Sequence, residues 1–218
     1  MNKKGFIFDL DGVIVDTAKY HFLAWRKLAK SLGITFSEED NELLKGVSRV
    51  SSLEKILAWG EQELSKERFD ELLHKKNNDY LGHIAKMTRE EILPDVPRVL
   101  SYLKSLDQPM ALGSASKNAR RILTEVDLIH EFQVIVDGSN VSKAKPDPEV
   151  FLNAATGLKM NPKDCIVFED SLAGIEAANS AGMLSVGIGD AKVLKDAKFV
   201  FKDFTEISNQ FILNELIS

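Results

Sequence analysis

Short, mostly apolar runs alternate with longer amphipathic stretches along most of the chain. Six runs consist mainly of aliphatic and aromatic residues: 5–8, 110–113, 132–136, 165–168, 184–187 and 199–201. Their apolar positions are largely continuous rather than alternating, which is typical of strands that are covered on both faces in a parallel sheet. We therefore predict that these runs form the strands of a parallel sheet.

Amphipathic stretches of helical period lie between the later strands. They cover residues 97–106, 117–128, 148–157 and 172–181. We expect the third of these helices to follow an N-cap at Asp147, with Pro148 in the first helical position, and the fourth to stop at Gly182. Strands that alternate with helices predict a doubly wound α/β fold.

The alternation is interrupted between residues 16 and 93. This stretch contains amphipathic helix patterns, for example at residues 53–59 and 69–84, and no convincing strand. Connections in such folds are usually about 2–6 residues long, so this stretch is too long to be a loop. We predict an α-helical cap at residues 16–93, inserted into an α/β core of residues 1–15 and 94–218.

The composition is that of an ordinary globular protein. Of the 218 residues, 44% are hydrophobic and 28% are charged, which excludes an intrinsically disordered chain. The 28 basic and 33 acidic residues give a formal charge of −5, which argues against a protein dedicated to nucleic acids or acidic membranes. The single cysteine, Cys165, excludes an intrachain disulfide and a cysteine-based zinc site.

The sequence also leads to expectations about location and assembly. No apolar run approaches the roughly 18 residues of a membrane-spanning helix, and Asp9 and Asp11 interrupt the first apolar stretch. We therefore expect a cytoplasmic protein with neither a secretory signal nor a membrane anchor. Because no coiled-coil pattern or long exposed apolar run is visible, we expect a monomer.

Polar residues follow several of the predicted strands directly. Asp9 follows the first strand, Ser114 the second, and Glu169 and Asp170 a later one. Ligands of open α/β sheets bind outside the carboxyl ends of the strands, and carboxylates that converge there repel one another unless a cation joins them. Oxygen ligands suit Mg²⁺, which usually also contacts a substrate phosphate.

Asp9 and Asp11 are two residues apart on a chain that is just leaving a strand, so both side chains can face one centre. Gly12 permits a tight turn after them. One carboxylate could attack phosphorus while the other handles the proton. The alternative is that both are turn or cap residues, and the polar groups at the other strand ends disfavour it.

Two further segments could bind phosphate. Residues 114–118 lie between a strand and a helix, where hydroxyls and backbone N–H groups hold phosphate oxygens, although Ser116 could equally be a simple N-cap. Lys145 stands beside Pro146 and close to Pro148. The prolines stiffen this loop, which suits a lysine that must be aimed at clustered anions.

These segments resemble the four ordered motifs of the haloacid dehalogenase-like phosphotransferases. The motifs are matched by Asp9-Leu10-Asp11-Gly12-Val13, Ser114, Lys145-Pro146 and Glu169-Asp170. The helical insertion is similar to the type 1 cap of that family, and the resemblance spans nearly the whole chain. Within the family the sequence is most similar to sugar-phosphate mutases, on residues 16–17, 20–22, 25, 45–49, 76–77, 114–118 and 169–171. Val50-Ser51 departs from the pattern, where polar or acidic residues are expected.

The resemblance implies a role for each motif residue. Asp9 would be the nucleophile that becomes an aspartyl phosphate, and Asp11 the general acid and base toward a sugar hydroxyl. Ser114 and Lys145 would bind the transferring phosphoryl group, a reaction that depends on positioning and charge stabilisation. The implied Mg²⁺ ligands are the Asp9 carboxylate, the Asp11 backbone carbonyl and Asp170, with Glu169 in or near the coordination shell.

A mutase differs from a phosphatase in needing a second cradle for the phosphate that is not reacting. Arg49 suits this cradle because a guanidinium can grip phosphate with two parallel bonds, although a solvated surface arginine is the alternative. Residues 51–54 could form a capping box, and a helix start beside Arg49 would strengthen the anion site.

His21 lies near the start of the predicted cap. It could sense a bound sugar and help bring Asp11 into position when the cap closes over the site, or it could be a partly buried structural histidine. Trp25 is expected in the interior of the cap.

The resemblance implies a wider set of substrate contacts: Thr17, His21, Lys45, Gly46, Val47, Arg49, Ser52, Lys76, Ala115, Ser116, Lys117 and Asn118. It implies a Mg²⁺-dependent phosphomutase that interconverts β-D-glucose 1-phosphate and D-glucose 6-phosphate through an aspartyl phosphate and glucose 1,6-bisphosphate. The alternative is a phosphatase for a small sugar phosphate, which would need a water path to the aspartyl phosphate. A non-catalytic binding protein is disfavoured, because both Asp9 and Asp11 are present.

Overall fold

The computed structural model describes residues 3–44 and 47–218. Its six strands form one parallel sheet in the order β3-β2-β1-β4-β5-β6. The strands are β1 (Gly5–Phe8), β2 (Met110–Gly113), β3 (Val134–Val136), β4 (Cys165–Glu169), β5 (Leu184–Ile188) and β6 (Phe199–Phe201). The prediction of a doubly wound parallel sheet is confirmed.

The central strands are buried on both faces, as their continuous apolar runs predict. Every residue of β1, β2 and β4 is buried. Successive side chains of a strand point to opposite faces, so Phe6 and Phe8 join the apolar cluster on one face while Ile7 joins the other. The Phe8 ring stacks on Phe168 of the neighbouring strand, with ring centroids 4.9 Å apart.

In the described residues, four α-helices lie between β1 and the next core helix: α1 (Ala18–Ser31), α2 (Glu38–Glu42), α3 (Arg49–Trp59) and α4 (Lys66–Ile84). We refer to them as the inserted helices. They have an apolar cluster of their own that includes Trp25, Leu28 and Ile56. Serine side chains cap three of them, at Ser37, Ser48 and Ser65.

The core helices are α5 (Val96–Ser105), α6 (Ala119–Glu125), α7 (Glu149–Leu158) and α8 (Leu172–Ser180), and the short α9 (Asn209–Phe211) continues into a π-helical segment, Ile212–Ile217. α6 is shorter than predicted, since Val126 is its C-cap and Asp127 has a left-handed φ of 55°. The N-cap of α7 is Pro148 rather than Asp147, and Asp147 Oδ1 instead accepts from the Glu149 N–H at 3.0 Å. Within the described residues, no helix combines the length and apolar character needed to cross a membrane.

The two segments that connect the inserted helices to the core run side by side. Val15 forms an antiparallel bridge with Ile92, and the Asp16 N–H donates to the Glu91 carbonyl at 2.9 Å. The Tyr20 hydroxyl, in the first turn of α1, donates to Glu91 Oε1 at 2.9 Å. These bonds hold the start of α1 against the segment that returns to the core.

Candidate functional site

A cavity of about 390 Å³ lies at the carboxyl edge of the sheet. Loops that follow β1, β2 and β3 line one side of it, and residues of α1, α3 and α4 line another. Because α/β sheets bind ligands outside the carboxyl ends of their strands, this cavity is the candidate functional site.

A buried lysine ties two strand-end carboxylates together. Lys145 Nζ donates to Asp9 Oδ1 at 2.6 Å and to Glu169 Oε1 at 2.7 Å, and all three residues are buried. Burial by itself lowers the pKa of Lys145, but the two carboxylates outweigh burial and hold this pKa above its ordinary value. Lys145 therefore remains an ammonium in the cavity.

Asp9 follows β1 directly, and its N–H donates to the Phe168 carbonyl at 2.9 Å, which holds the residue at the sheet edge. Burial raises the pKa of Asp9 to about 7, although the Lys145 ammonium opposes the rise. The neighbouring carboxylates of Glu169 and Asp11 raise this pKa further. A second cation beside Asp9 would therefore be needed to keep it fully ionised near neutral pH.

Three carboxylates could supply that cation site. Asp9, Glu169 and Asp170 each offer an oxygen, and these oxygens lie within 4.8 Å of one another. A donor set made only of oxygens suits a hard divalent cation. Gly12 adjoins the group with a φ of +78°, and a Cβ at this position would collide with the Asp170 carboxylate. The position therefore requires glycine, and the residues fit a bound metal ion.

Asp11 lies in the turn that leaves β1. The Thr17 hydroxyl, immediately before α1, donates to Asp11 Oδ1, and Thr17 is fully buried. Burial raises the pKa of Asp11, while the hydrogen bond from Thr17 opposes the rise. The Asp11 carboxyl is not among the three that could hold a metal, so it can act on a proton instead.

The loop after β2 carries a row of small polar groups. Ser114 Oγ accepts from the Ser116 N–H at 3.1 Å, and Ser116 Oγ accepts from the Asn118 N–H at 3.2 Å. Asn118, and not Ser116, occupies the N-cap position of α6, so the interpretation of Ser116 as the helix cap is wrong. Residues 114–118 all border the cavity.

The start of α3 brings a guanidinium to the cavity. Arg49 is the first residue of the helix, and the Ser48 side chain caps it by accepting from the Ser51 N–H at 3.2 Å. The capping box predicted at residues 51–54 is therefore wrong, because the helix begins before it. Arg49 borders the cavity and is partly buried, and burial lowers the pKa of its guanidinium. It is thus not simply a solvated surface residue.

His21 and Lys76 meet in the wall formed by α1 and α4. Lys76 Nζ lies 3.0 Å from His21 Nδ1. Burial, then Lys76 and Arg49, lower the pKa of His21 well below its ordinary value. Burial, then Arg49, lower the pKa of Lys76 to about 7, and Asp11 opposes this shift. The histidine is therefore neutral and accepts a hydrogen bond whenever Lys76 is an ammonium.

The structure brings most of the predicted site residues to this one cavity. Those that line it are Asp9, Asp11, Thr17, His21, Val47, Arg49, Ser52, Lys76, Ser114, Ala115, Ser116, Lys117, Asn118, Lys145 and Asp170. Glu169 adjoins them through its bond to Lys145. The predicted contacts Lys45 and Gly46 lie outside the described residues.

Two cavity residues on α4 were not among the predicted substrate contacts, although Asn77 belongs to a segment that matches the family. Asn77 Oδ1 accepts from Asn118 Nδ2 at 3.2 Å, which joins α4 to the start of α6. Tyr80 also lines the cavity, and it stands four residues after Lys76. That spacing places Lys76 and Tyr80 on one face of the helix, and it could have indicated that Tyr80 lines the cavity.

Comparisons with known proteins agree with this geometry. A family model described as haloacid dehalogenase-like hydrolase matches residues 3–182. The β-phosphoglucomutase of Bacillus subtilis is 44% identical over 214 residues, which cover 97% of this chain and 95% of that protein. A phosphorylated carbohydrates phosphatase of Thermotoga maritima is 32% identical over 198 residues, or 88% of this chain and 89% of that protein.

A solved structure is similar over nearly the full length. The crystal structure of a β-phosphoglucomutase from Clostridium difficile superposes with a TM-score of 0.92 at 43% identity, covering 97% of this chain and 96% of that one.

Proposed function

The chain belongs to the haloacid dehalogenase-like hydrolase family, and from this premise we propose that it is a phosphomutase that interconverts β-D-glucose 1-phosphate and D-glucose 6-phosphate. The observation that carries the proposal is the 44% identity to a β-phosphoglucomutase over 97% of the chain. The cavity agrees with it, because cationic side chains stand in two places, at Lys145 and at Arg49.

The chemistry divides between two carboxyl groups. Starting from the aspartyl phosphate of Asp9, Asp11 removes the proton of the 6-hydroxyl of β-glucose 1-phosphate, and the oxygen attacks phosphorus while the bond from phosphorus to Asp9 breaks, which gives glucose 1,6-bisphosphate. In the second half-reaction Asp9 attacks the phosphorus at C1 of the bisphosphate. The bond from that phosphorus to the C1 oxygen breaks, the oxygen takes the proton back from Asp11, and glucose 6-phosphate leaves. Lys145, which is held 2.6 Å from Asp9, and Ser114 bind the phosphoryl oxygens as the group transfers.

The fit of the carboxylates supports Mg²⁺ as the cofactor. The proposed ligands are the Asp9 and Asp170 carboxylates and the Asp11 backbone carbonyl, with Glu169 in or near the shell. When bound, Mg²⁺ would supply positive charge that favours ionised Asp9 and offsets charge on the phosphoryl group.

The remaining side chains are proposed to hold the sugar and its second phosphate. Arg49, Ser52 and residues 116–118 would bind the phosphate that is not reacting. A bisphosphate could then reorient so that its two phosphates exchange positions between Lys145 and Arg49. Thr17 would position Asp11 through its hydrogen bond, while His21 and Lys76 would contact the substrate from the inserted helices. Residues 16–93 would then act as a cap over the reacting groups.

A phosphatase with the same nucleophile is the second candidate, since a carbohydrate phosphatase is 32% identical. In that enzyme, water rather than a sugar hydroxyl would attack the aspartyl phosphate. Asp9 and Asp11 serve both reactions, so the two functions differ in the acceptor and in the mutase's need for a second phosphate cradle.

The test incubates the protein with Mg²⁺, β-glucose 1-phosphate and a trace of glucose 1,6-bisphosphate. Glucose 6-phosphate and free phosphate are measured in parallel, and we expect glucose 6-phosphate to form much faster than phosphate is released. α-Glucose 1-phosphate and a sample with EDTA are the matched controls, and both should give little product. Phosphate release that equals or exceeds isomerisation would instead identify a phosphatase.

A further inference from the structure

Two pairs of residues, one on α1 and one on α4, contact each other where these helices pack together. His21 and Trp25 are four residues apart on α1, and Lys76 and Tyr80 are four residues apart on α4. The His21 and Tyr80 rings lie with centroids 4.2 Å apart. Lys76 Nζ lies 4.6 Å from the centroid of the Trp25 ring and 4.6 Å from that of the Tyr80 ring.

This places a buried ammonium in contact with two aromatic rings. Lys76 is 2% exposed, and within the described residues no carboxylate lies at salt-bridge distance from its Nζ. Burial of a cation without a paired anion is costly. Aromatic faces attract a cation through the ring quadrupole, most strongly where water is excluded. The two rings therefore offset part of the cost of burying Lys76.

The Tyr80 hydroxyl has no hydrogen-bond partner among the described residues, and the Thr17 side chain is a polar neighbour that affects its ionisation. Tyr80 is 1% exposed. Burial, then the charge of Asp11, raise the pKa of Tyr80 well above its ordinary value, and the Thr17 side chain opposes the rise. The phenol therefore stays neutral. The Tyr80 ring contacts Lys76 and His21.

We propose that Trp25 and Tyr80 are positioning residues that hold Lys76 as an ammonium in the cavity wall, where the negative charge of the substrate is its counter-ion. The identity of that substrate as a sugar phosphate rests on the proposed function, whereas the aromatic support of Lys76 does not. The other ionisable groups that face Lys76 are His21 from α1, Arg49 from α3 and Asp11 from the loop after β1.

The first experiment compares Tyr80→Leu with Tyr80→Phe. Leucine keeps apolar volume but has no ring, while phenylalanine keeps the ring and removes only the unpartnered hydroxyl. We expect Tyr80→Leu to raise the KM for β-glucose 1-phosphate roughly three- to thirtyfold, with a smaller change in kcat. Tyr80→Phe should restore most of this loss. Tyr102→Leu, on α5 and away from the cavity, is the control for loss of a tyrosine that packs on the core.

The second experiment needs no substrate. The pKa of Lys76 is followed by NMR of its ¹³Cε, assigned by its loss in Lys76→Met. Because a ring favours the charged form, this pKa should fall in Tyr80→Leu and stay near the wild-type value in Tyr80→Phe. If Tyr80→Leu does not fold, phenylalanines with one to three ring fluorines at position 80 weaken the quadrupole stepwise at nearly constant shape. The pKa should then fall with each added fluorine.

The outcomes separate this inference from the proposed function. A wild-type KM and Lys76 pKa in Tyr80→Leu, or a Tyr80→Phe variant as impaired as Tyr80→Leu, would overturn the positioning role. A wild-type protein that makes no glucose 6-phosphate, together with a lowered Lys76 pKa in Tyr80→Leu, would overturn the proposed function and leave the positioning role standing.

Discussion

The buried carboxylate of Asp9 is costly for folding but useful for chemistry. Its carboxyl is buried beside two other acidic groups, and Lys145 is the cation that contacts it among the described residues. A carboxylate that is poorly stabilised in this way is ready to bind a further cation or to form a bond to phosphorus. The Lys145 ammonium supplies positive charge, so the site can still accept a negatively charged phosphate.

Asp9→Asn tests the nucleophile directly. An amide has nearly the same shape but no longer supplies a carboxylate, so phosphoryl transfer should fall at least about a thousandfold. Steady-state turnover and labelling of the protein by a radioactive phosphoryl donor are the measurements. The circular dichroism spectrum should remain that of the wild type, and substantial turnover by such a folded variant would remove Asp9 as the nucleophile.

The pKa of Asp9 also predicts how Mg²⁺ binding depends on pH. With a pKa of about 7, Asp9 is partly protonated near neutral pH, and a metal must displace that proton. We expect roughly half a proton to be released per bound ion at pH 7, with affinity increasing as the pH rises toward about 8. Calorimetry in two buffers of different ionisation enthalpy measures this release.

The same titration at pH 9 is the internal control, because Asp9 is then ionised and release should vanish. Identical proton release at pH 7 and pH 9 would contradict the assignment.

The raised pKa of Asp9 also affects the stability of the metal-free protein, which should decrease with rising pH while metal affinity increases. The native state binds this proton more tightly than the unfolded chain, so the stability contributed by Asp9 is lost as the pH rises from about 4 to about 7.

At the scale of elements, the start of α3 decides what Arg49 can do. Ser48 caps the helix, so Arg49 occupies its first turn, where backbone N–H groups lack partners within the helix. A guanidinium and a helix N-terminus both favour an anion. The departure from the family pattern at Val50 lies on an exposed side chain, at 46% of its full accessibility, and it leaves this arrangement intact.

Arg49→Ala should therefore harm the mutase reaction more than simple hydrolysis. Loss of charged, paired hydrogen bonds to phosphate should reduce kcat/KM for β-glucose 1-phosphate by about 10- to 100-fold. Hydrolysis of a small phosphate ester, which has no second phosphate to hold, should change much less. Arg49→Lys is the matched control and should recover only part of the loss, because an ammonium lacks the two-pronged geometry. Equal losses in both assays would contradict a second phosphate cradle.

Element boundaries also show where local patterns are informative. The apolar runs predict β1, β2 and β6 to the residue. For β1 and β2 the reason is burial on both faces, which requires apolar side chains throughout, whereas the edge strand β6 is only half-buried. Helix ends are less well predicted, as at α6 and α7, because a helix ends where individual backbone angles and caps allow. The C-terminal helical segment that includes Ile212–Ile217 was not predicted at all.

At the scale of the whole molecule, the strand order explains why the chemistry lies where it does. β1 stands between β2 and β4, so Asp9, Ser114 and Glu169 leave adjacent strands although they are far apart in the sequence. The chain reverses its direction across the sheet at the junction of β1 and β4, and such switch points open a crevice for ligands. The inserted helices leave the core directly after β1, which places their cavity-facing residues opposite that crevice.

The sequence by itself determined the fold class, the strand-end carboxylates and about half of the residues that line the cavity. The fold class and the strand-end carboxylates follow from local patterns along the chain, whereas most of the cap residues of the cavity were implied by the family resemblance. The tertiary structure alone decided that Lys145 bridges Asp9 and Glu169, and that Lys76 lies between the Trp25 and Tyr80 rings. Such contacts join distant segments through strand order and helix packing, so no local pattern along the chain encodes them.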